Sequence, residues 1–431
     1  MRLTIYSHDS YGLGNIRRML EICKHLLKTI PKSSILLISG SPLLHNFRLP
    51  EGLDYIKLPC IRRDRKGQLS AKFLTTDVEE TIQLRAELIK TTMIGFKPDL
   101  LLVDKKPYGL KGELKSALDY LQQFSPQTKV VLLLRDILDR PEKTISEWIK
   151  NQFYGGIKKY YDRVLVVGMR EIFDLTKEYK FPNCIAQKVK FCGYIRRESG
   201  NKTPAILRQE LGIEADEKLV LVTTGGGDDG YNLVHNYLLG LTQLDCDLKI
   251  KSLIISGPEM PLHQQQEISQ KSANNPQIQV IEFTDDLNSY IEAADVVVSM
   301  GGYNTTCEIL SLKKKSVIVP RFRPVQEQWI RTERMAHMNL FKSIHPDRLR
   351  PENLIQAVME QLNDTRCDRL SNIEDIVDLD ALPKIAYQIY ELLNSDSQTV
   401  RKERLKNRVK LFTEKKIPID RSTYPELVSS F

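Results

Sequence analysis

The regular alternation of short apolar runs with amphipathic segments is the feature that most constrains the fold of this chain. In the first half, runs such as Leu3–Ser7, Leu100–Asp104 and Lys129–Leu134 are separated by segments with helical periodicity. The same pattern returns in the second half, for example at Leu219–Thr224 and Val296–Met300. Alternation of this kind predicts α/β architecture, with parallel sheets covered by helices on both faces.

A polar stretch rich in turn-forming residues separates the two halves at 193–204. A chain of 431 residues is also too long for one ordinary core. We therefore predict two Rossmann-like domains, 1–195 and 196–395, that face each other across a cleft, and a C-terminal helical extension at 396–431. Open α/β sheets bind ligands beyond the carboxyl ends of their strands, so the cleft is where we expect the functional site.

Composition narrows the setting of the protein. The formal net charge of +8 is modest for this length and does not by itself indicate nucleic-acid binding. The seven cysteines are scattered and lack CxxC spacing, which favours a reducing compartment over a disulfide framework or a zinc cluster. No signal peptide is evident and no apolar run approaches the length of a membrane span. We expect a cytoplasmic protein, or one peripheral on the inner face of the membrane.

The strongest candidate site follows the apolar run at 296–300. Gly301 and Gly302 allow a sharp turn and close approach of a ligand, and Asn304 or Thr305 can cap the helix that follows. A helix N-terminus after such a turn binds anions, because its free N–H groups and the positive end of its dipole point outward. Glu308, one turn further in, can reach a hydroxyl beside a bound phosphate. An ordinary βα turn of a parallel sheet would show the same spacing.

Two other glycine loops follow predicted strands. Three consecutive glycines, Gly225–Gly227, are more than a turn needs, and they suit a backbone that a ligand approaches closely. The next two residues, Asp228 and Asp229, can bind a sugar hydroxyl or a metal, or simply cap a helix. The first loop contains Gly12 and Gly14, but the third small residue of a dinucleotide fingerprint is replaced by Arg17. This loop therefore predicts contact with a ligand in the cleft rather than a dinucleotide site.

Charged residues mark two strand ends of the first domain and the C-terminus. Asp104 and Arg135 end predicted strands at the cleft-facing edge, where they are either functional or ordinary surface charges. Residues 401–416 carry eight basic and two acidic side chains with apolar residues at helical spacing. This segment predicts a basic amphipathic helix, which either contacts an anionic membrane surface or packs back on the first domain.

The candidate motif resembles a known enzyme family. The run from Ser299 to Glu308, followed by Pro320 and by Gln326–Gln328 and Arg331, resembles the C-terminal domain of family 28 glycosyltransferases. That family includes the bacterial enzyme that adds N-acetylglucosamine to a lipid-linked muramyl peptide. The front loop looks like a poorly described branch of bacterial predicted glycosyltransferases. The resemblance implies GT-B architecture over nearly the full length, apart from about the last thirty residues.

The resemblance also implies roles for individual residues. The resemblance implies a UDP-linked nucleotide sugar as the donor, with Glu308 on the ribose hydroxyls and Glu327 and Gln328 on the sugar. Neither a metal nor a further cofactor is expected, because the helix N-terminus and basic side chains neutralise the leaving diphosphate. The implied donor-binding residues are Gly225, Gly226, Gly227, Ser299, Gly301, Gly302, Asn304, Thr305, Glu308, Glu327, Gln328 and Arg331.

The resemblance further implies that the first domain binds the acceptor, and a lipid-linked acceptor is expected. The residues predicted to contact the acceptor or a phosphate are Gly12, Gly14, Asn15, Arg17 and Arg135. The family often has histidine where this chain has Asn15, and an amide cannot accept a proton at neutral pH. The candidate bases are therefore His8, Asp9 and Asp104, with His8 preferred because its unperturbed pKa is near neutrality. A buried structural role for His8 is the alternative.

These observations together predict an inverting, metal-independent hexosyltransferase that uses a nucleotide sugar. A nucleotide-sugar epimerase or hydrolase of the same fold is the first alternative. A catalytically degenerate protein that binds a sugar or a membrane is the second, and Asn15 and the basic C-terminal segment favour it. A dehydrogenase is disfavoured by Arg17.

Overall fold

The computed structural model describes residues 1–8, 14–42, 44–63, 68–244, 248–364 and 372–394. The predicted base Asp9 and the predicted ligand residue Gly12 lie outside these ranges. So does the predicted extension 396–431, with the basic segment 401–416.

The first domain is built on a seven-stranded parallel sheet with the strand order β3-β2-β1-β6-β7-β8-β9. Its central strands are mostly apolar and almost fully buried, as expected where helices cover both faces of a sheet. A two-stranded antiparallel hairpin, β4 and β5, lies beside it. The strands are β1 Arg2–Ser7, β2 Ser34–Ser39, β3 Leu53–Lys57, β4 Ile61–Arg63, β5 Leu69–Ala71, β6 Leu100–Asp104, β7 Lys129–Arg135, β8 Arg163–Val167 and β9 Val189–Phe191.

The second domain repeats this plan with a six-stranded parallel sheet of order β12-β11-β10-β13-β14-β15. In each sheet, successive strands are first added towards one edge and then towards the other. The direction changes between β1 and β6 in the first sheet and between β10 and β13 in the second. Ligands bind at such switch points in open α/β sheets. The strands are β10 Lys218–Thr223, β11 Ile250–Ile255, β12 Ile278–Ile281, β13 Val296–Ser299, β14 Ser316–Ile318 and β15 Lys342–Ser343.

Helices connect the strands and cover both sheets. Those of the first domain are α1 Gly14–Thr29, α2 Val78–Phe96, α3 Lys115–Phe124, α4 Pro141–Lys150, α5 Phe153–Tyr160, α6 Leu175–Glu178 and α7 Asn183–Ala186. Those of the second are α8 Pro204–Glu210, α9 Tyr231–Leu241, α10 Leu262–Ser272, α11 Leu287–Ala293, α12 Tyr303–Ser311, α13 Glu327–His337, α14 Pro351–Asn363 and α15 Ile373–Ile376. Short 3₁₀ turns occur at Leu44–Asn46, Leu110–Gly112 and Pro346–Arg348.

Within the described ranges, the chain passes from the first domain to the second near Ile195, which pairs with Asp380 of the returning chain. The boundary at 195/196 stays a prediction. Residues 381–394 then form a helix that contacts the first domain, where Arg163 donates to the backbone carbonyl of Gln388 and pairs with Glu391. The predicted range 196–395 therefore contains a last helix that packs on the first domain, a long-range contact that has no local sequence signal.

The predicted fold class is confirmed: the described residues form two α/β domains with parallel sheets. Within the described ranges, no helix combines the length and the apolar character needed to cross a membrane.

Candidate functional site

The turn between β13 and α12 is shaped to leave a helix N-terminus open. Gly301 has a φ of 64°, and its N–H donates to the fully buried Ser299 hydroxyl at 3.2 Å. Helix α12 follows Gly302, whose carbonyl accepts the Thr306 N–H at 2.8 Å. The N–H groups before Thr306 point out of the helix end, where they can bind an anion. Ser299, predicted to contact the donor, instead supports the turn.

Replacing Gly301 with alanine should destabilise the second domain more than the same change at Gly225. Both have positive φ, which costs an L-residue about 1–2 kcal/mol. A Cβ at Gly301 would also lie 2.6 Å from Ile318 Cγ2, whereas one at Gly225 meets nothing within 4 Å. Overpacking should therefore add about 1–3 kcal/mol to the loss of unfolding free energy in Gly301→Ala. Urea denaturation of the two variants measures this difference, and equal losses would contradict it.

Glu308 is the most unusual carboxylate of the site. Its side chain is only 9% exposed, and its Oε2 has no hydrogen-bond partner among the described residues. Burial raises the pKa of the Glu308 carboxyl above its ordinary value, against the opposing charges of Arg197 and Arg17. A buried, unsatisfied carboxylate oxygen is costly, so it indicates a binding partner outside the protein. Hydroxyl groups of a ligand at the α12 N-terminus would be such partners.

Asn304 joins α12 to the first domain. Its Nδ2 donates to the Gly14 carbonyl at 3.1 Å, and its Oδ1 accepts from Arg197 at 2.9 Å. Because Gly14 begins α1, this amide brings the front of the first domain close to the open N-terminus of α12. Arg17, one turn into α1, is partly buried, and its charge acts on Glu308. The predicted residues Gly14, Arg17, Asn304 and Glu308 are therefore brought together.

The predicted bases have different surroundings. Asp104 is fully buried and pairs with the equally buried Arg18 at 2.8 Å, so its carboxylate already has a cationic partner within the first domain. His8 is 2% exposed at the end of β1, and its carbonyl accepts from the Asn15 side chain at 2.9 Å. Asn15 therefore supports the backbone beside His8. His8 stays a predicted base.

A buried ion pair holds the two domains together. The Arg331 guanidinium donates to both oxygens of Asp136, at 2.6 and 2.9 Å, and both side chains are fully buried. Tyr194 donates to the same carboxylate at 3.0 Å. Arg331, predicted to contact the donor, therefore has its charge satisfied by the end of β7. Asp136 and Tyr194 were not among the predicted site residues.

A second interdomain pair lies beside the first. Arg135 approaches Glu327 at 3.1 Å, and although burial opposes it, the charges of Arg135 and Arg331 hold the pKa of the Glu327 carboxyl below its ordinary value. Gln328 accepts the backbone N–H of Arg321 at 3.0 Å. The two side chains predicted to hold the donor sugar thus lie in the cleft, at the start of α13.

The glycine loop at Gly225–Gly227 forms another part of the cleft wall on the second domain. Gly225 and Gly227 have φ values of 72° and 96°, and the Gly226 carbonyl accepts the Glu259 N–H at 2.7 Å. Burial and the charge of Asp228 raise the pKa of the Glu259 carboxyl. No group of three or more histidine, cysteine, aspartate or glutamate side chains suited to a metal was found in the described part of the chain.

Sequence similarity identifies the second domain. Residues 220–374 match the family model of the glycosyltransferase family 28 C-terminal domain, and this range includes Gly225–Gly227, Gly301–Glu308 and Arg331. The second domain thus matches the C-terminal domain of glycosyltransferase family 28. The predicted resemblance is thereby confirmed.

Two curated relatives are consistent with this assignment. An uncharacterised glycosyltransferase of Methanopyrus kandleri is 25% identical over 211 residues, which cover 48% of this chain and 56% of the relative. The UDP-N-acetylglucosamine–N-acetylmuramyl-(pentapeptide) pyrophosphoryl-undecaprenol N-acetylglucosamine transferase of Haemophilus influenzae is 27% identical over 143 residues, 33% of this chain and 39% of that enzyme. The alignments thus span about half or less of these relatives.

Solved structures share the whole two-domain fold. MurG of Acinetobacter baumannii superimposes with a TM-score of 0.59 at 15% identity, covering 90% of this chain and 99% of that one. The UDP-N-acetylglucosamine 2-epimerase of Methanocaldococcus jannaschii gives a TM-score of 0.56, also at 15% identity, covering 87% and 100%. At such identities the likeness shows the GT-B fold alone.

Proposed function

We propose that this protein is a glycosyltransferase that moves a hexosyl group from a nucleotide sugar to an acceptor bound by the first domain. The observation that carries the proposal is Glu308, buried and unsatisfied one turn beyond the open N-terminus of a family 28 domain. This arrangement matches a ribose and a diphosphate that are joined in one ligand. UDP is the proposed nucleotide because the name of the Haemophilus influenzae relative specifies a UDP-sugar.

The proposed reaction is a direct displacement. The acceptor hydroxyl attacks the anomeric carbon, the bond from that carbon to the diphosphate oxygen breaks, and the configuration inverts. Developing charge on the diphosphate would be stabilised by the α12 N–H groups and by Arg17 and Arg197, so no metal is required. We propose that His8 takes the hydroxyl proton, because it directly follows β1 beside the cleft.

The acceptor and location are proposed from the same relatives. The Haemophilus influenzae enzyme is named for an acceptor on pyrophosphoryl-undecaprenol, so a lipid-linked acceptor is proposed for this chain. With such an acceptor, we propose that the enzyme works at the inner face of the membrane. The basic segment 401–416, which lies outside the described residues, is the proposed membrane contact.

Calorimetric titration with UDP and with a panel of UDP-sugars tests the proposal. We expect micromolar to millimolar binding of UDP, with the sugar adding selectivity. Absence of binding to any nucleotide sugar at millimolar concentration would refute it. Incubation with donor alone, followed by NMR, separates the alternatives: a transferase leaves most donor intact, whereas an epimerase or hydrolase releases epimer or free sugar. Binding without turnover in the presence of acceptors would favour a degenerate protein.

A further inference from the structure

Lys105 occupies an unusual place in the cleft. It directly follows β6 at the switch point of the first sheet, and its backbone has a φ of 70°. The strand end is fixed because the Lys105 N–H donates to the Leu133 carbonyl at 2.8 Å. The side chain is partly buried between charges from both domains, those of Arg135 and Glu327. Burial, together with the positive charge of Arg135, lowers the pKa of the Lys105 ammonium to about 8.

The neighbouring cations each have a carboxylate partner. Arg18 pairs with Asp104 at 2.8 Å, and Lys106 pairs with Glu147 at 2.6 Å. Arg135 pairs with Glu327, the only one of these carboxylates on the second domain. Within the described ranges, no hydrogen bond or ion pair engages the Lys105 ammonium. Among these four cations, Lys105 is therefore the one whose charge is not balanced by a paired carboxylate.

Arg135 also has unused hydrogen-bonding capacity. Its buried Nε has no acceptor among the described residues, although its Nη1 contacts Glu327. A buried cationic donor without an acceptor is costly unless a ligand completes it. Lys105 and Arg135 therefore present two incompletely satisfied cations on the first-domain wall, at the carboxyl ends of neighbouring strands β6 and β7.

The donor diphosphate does not account for these cations. Its proposed place is at the α12 N-terminus, where Arg17 and Arg197 supply the positive charge that acts on Glu308. Lys105 and Arg135 act instead on Glu327, at the start of α13 and next to the proposed sugar position. The cleft thus has one pair of cations that acts on Glu308 and another that acts on Glu327.

We propose that Lys105 and Arg135 form a second anion subsite, which binds a carboxylate or phosphate group in addition to the donor diphosphate. This inference rests on the proposed function for the position of the diphosphate. The anion comes either from the donor sugar, as the carboxylate of a uronic acid, or from the acceptor, as a phosphate near the attacking hydroxyl. In both cases Lys105 donates a charge-assisted hydrogen bond to it.

The test uses Lys105→Gly, because glycine adopts the positive φ of this position without strain. Lys105→Asn is the second variant, since asparagine also tolerates this conformation. Lys97→Gly is the matched control: Lys97 is exposed, has a φ of 49°, and ends α2 away from the cleft. Calorimetry compares UDP-glucuronate with UDP-glucose for each protein, and then titrates inorganic phosphate into UDP-saturated protein.

A donor source predicts that the wild-type protein binds UDP-glucuronate at least tenfold more tightly than UDP-glucose. An acceptor source predicts no such preference, but phosphate binding in the presence of UDP. Either effect should fall about tenfold in both Lys105 variants and persist in Lys97→Gly. The subsite is refuted if the wild-type protein shows neither effect, or if the Lys105 variants keep the effect that it shows. In that case, UDP binding by the wild-type protein would still support the proposed function. If the wild-type protein does not bind UDP, the proposed function is refuted instead. Titration of phosphate without nucleotide would then still test the subsite.

Discussion

Replacing Arg331 with methionine will lower the free energy of unfolding by about 3–5 kcal/mol, because it leaves the Asp136 carboxylate buried without its counter-charge. Arg331 and Asp136 are both fully buried, and the pair is bidentate. The Tyr194 hydroxyl at 3.0 Å and the Ile137 backbone N–H at 2.8 Å would still donate to that carboxylate, but neither group carries a charge. Urea denaturation, followed by circular dichroism, measures the loss.

The controls separate the buried charge from the side chain itself. Adding Asp136→Asn to Arg331→Met removes the uncompensated charge and should recover a large part of the lost stability. Lys202→Met breaks an ion pair with Glu210 in which both side chains are 46% exposed, and it should cost far less stability because water screens the two charges. The interpretation fails if Arg331→Met costs no more than Lys202→Met.

The same ion pair shows where sequence reasoning reaches its limit. The motif around Arg331 predicts a contact between this side chain and the donor. The prediction rests on a resemblance, which carries no information about the direction of the side chain. Its partner Asp136 lies 195 positions earlier in the chain. A pairing over such a distance depends on how two domains pack, and no local pattern records that. Arg135 and Glu327 were each predicted as site residues, but their contact with each other was not.

The sheets, by contrast, were predicted well because their signal is local. A parallel strand that is buried on both faces appears in the sequence as a nearly continuous apolar run. The predicted strands Leu3–Ser7 and Val296–Met300 therefore fall within one residue of the observed Arg2–Ser7 and Val296–Ser299. The glycine turn after β13 was recognisable for a similar reason, since Gly301 adopts a positive φ. Lys105 also has positive φ, which a lysine in the sequence does not indicate.

Replacing Glu308 with glutamine should weaken UDP binding about 10- to 100-fold, the loss expected when hydrogen bonds to a charged acceptor are removed. Glutamine is nearly isosteric, so the cavity is unchanged. Calorimetry with UDP measures the loss, and Glu267→Gln, on the exposed face of α10, is the control that should bind normally. Unchanged UDP affinity in Glu308→Gln would contradict a ribose contact.

Stability and binding should respond to Glu308 in opposite directions. Because burial raises the folded-state pKa of this carboxyl, the native protein holds the proton more tightly than the unfolded chain, and ionisation above that pKa costs stability. Glu308→Gln removes this cost and should unfold at equal or higher urea concentration at neutral pH. In the wild-type protein, UDP affinity should fall as the pH drops towards the raised pKa, and the variant should lack this dependence. If Glu308 had only a structural role, its substitution would lower the stability of the protein. Weaker UDP binding with undiminished stability would therefore identify Glu308 as a residue whose charge serves ligand binding.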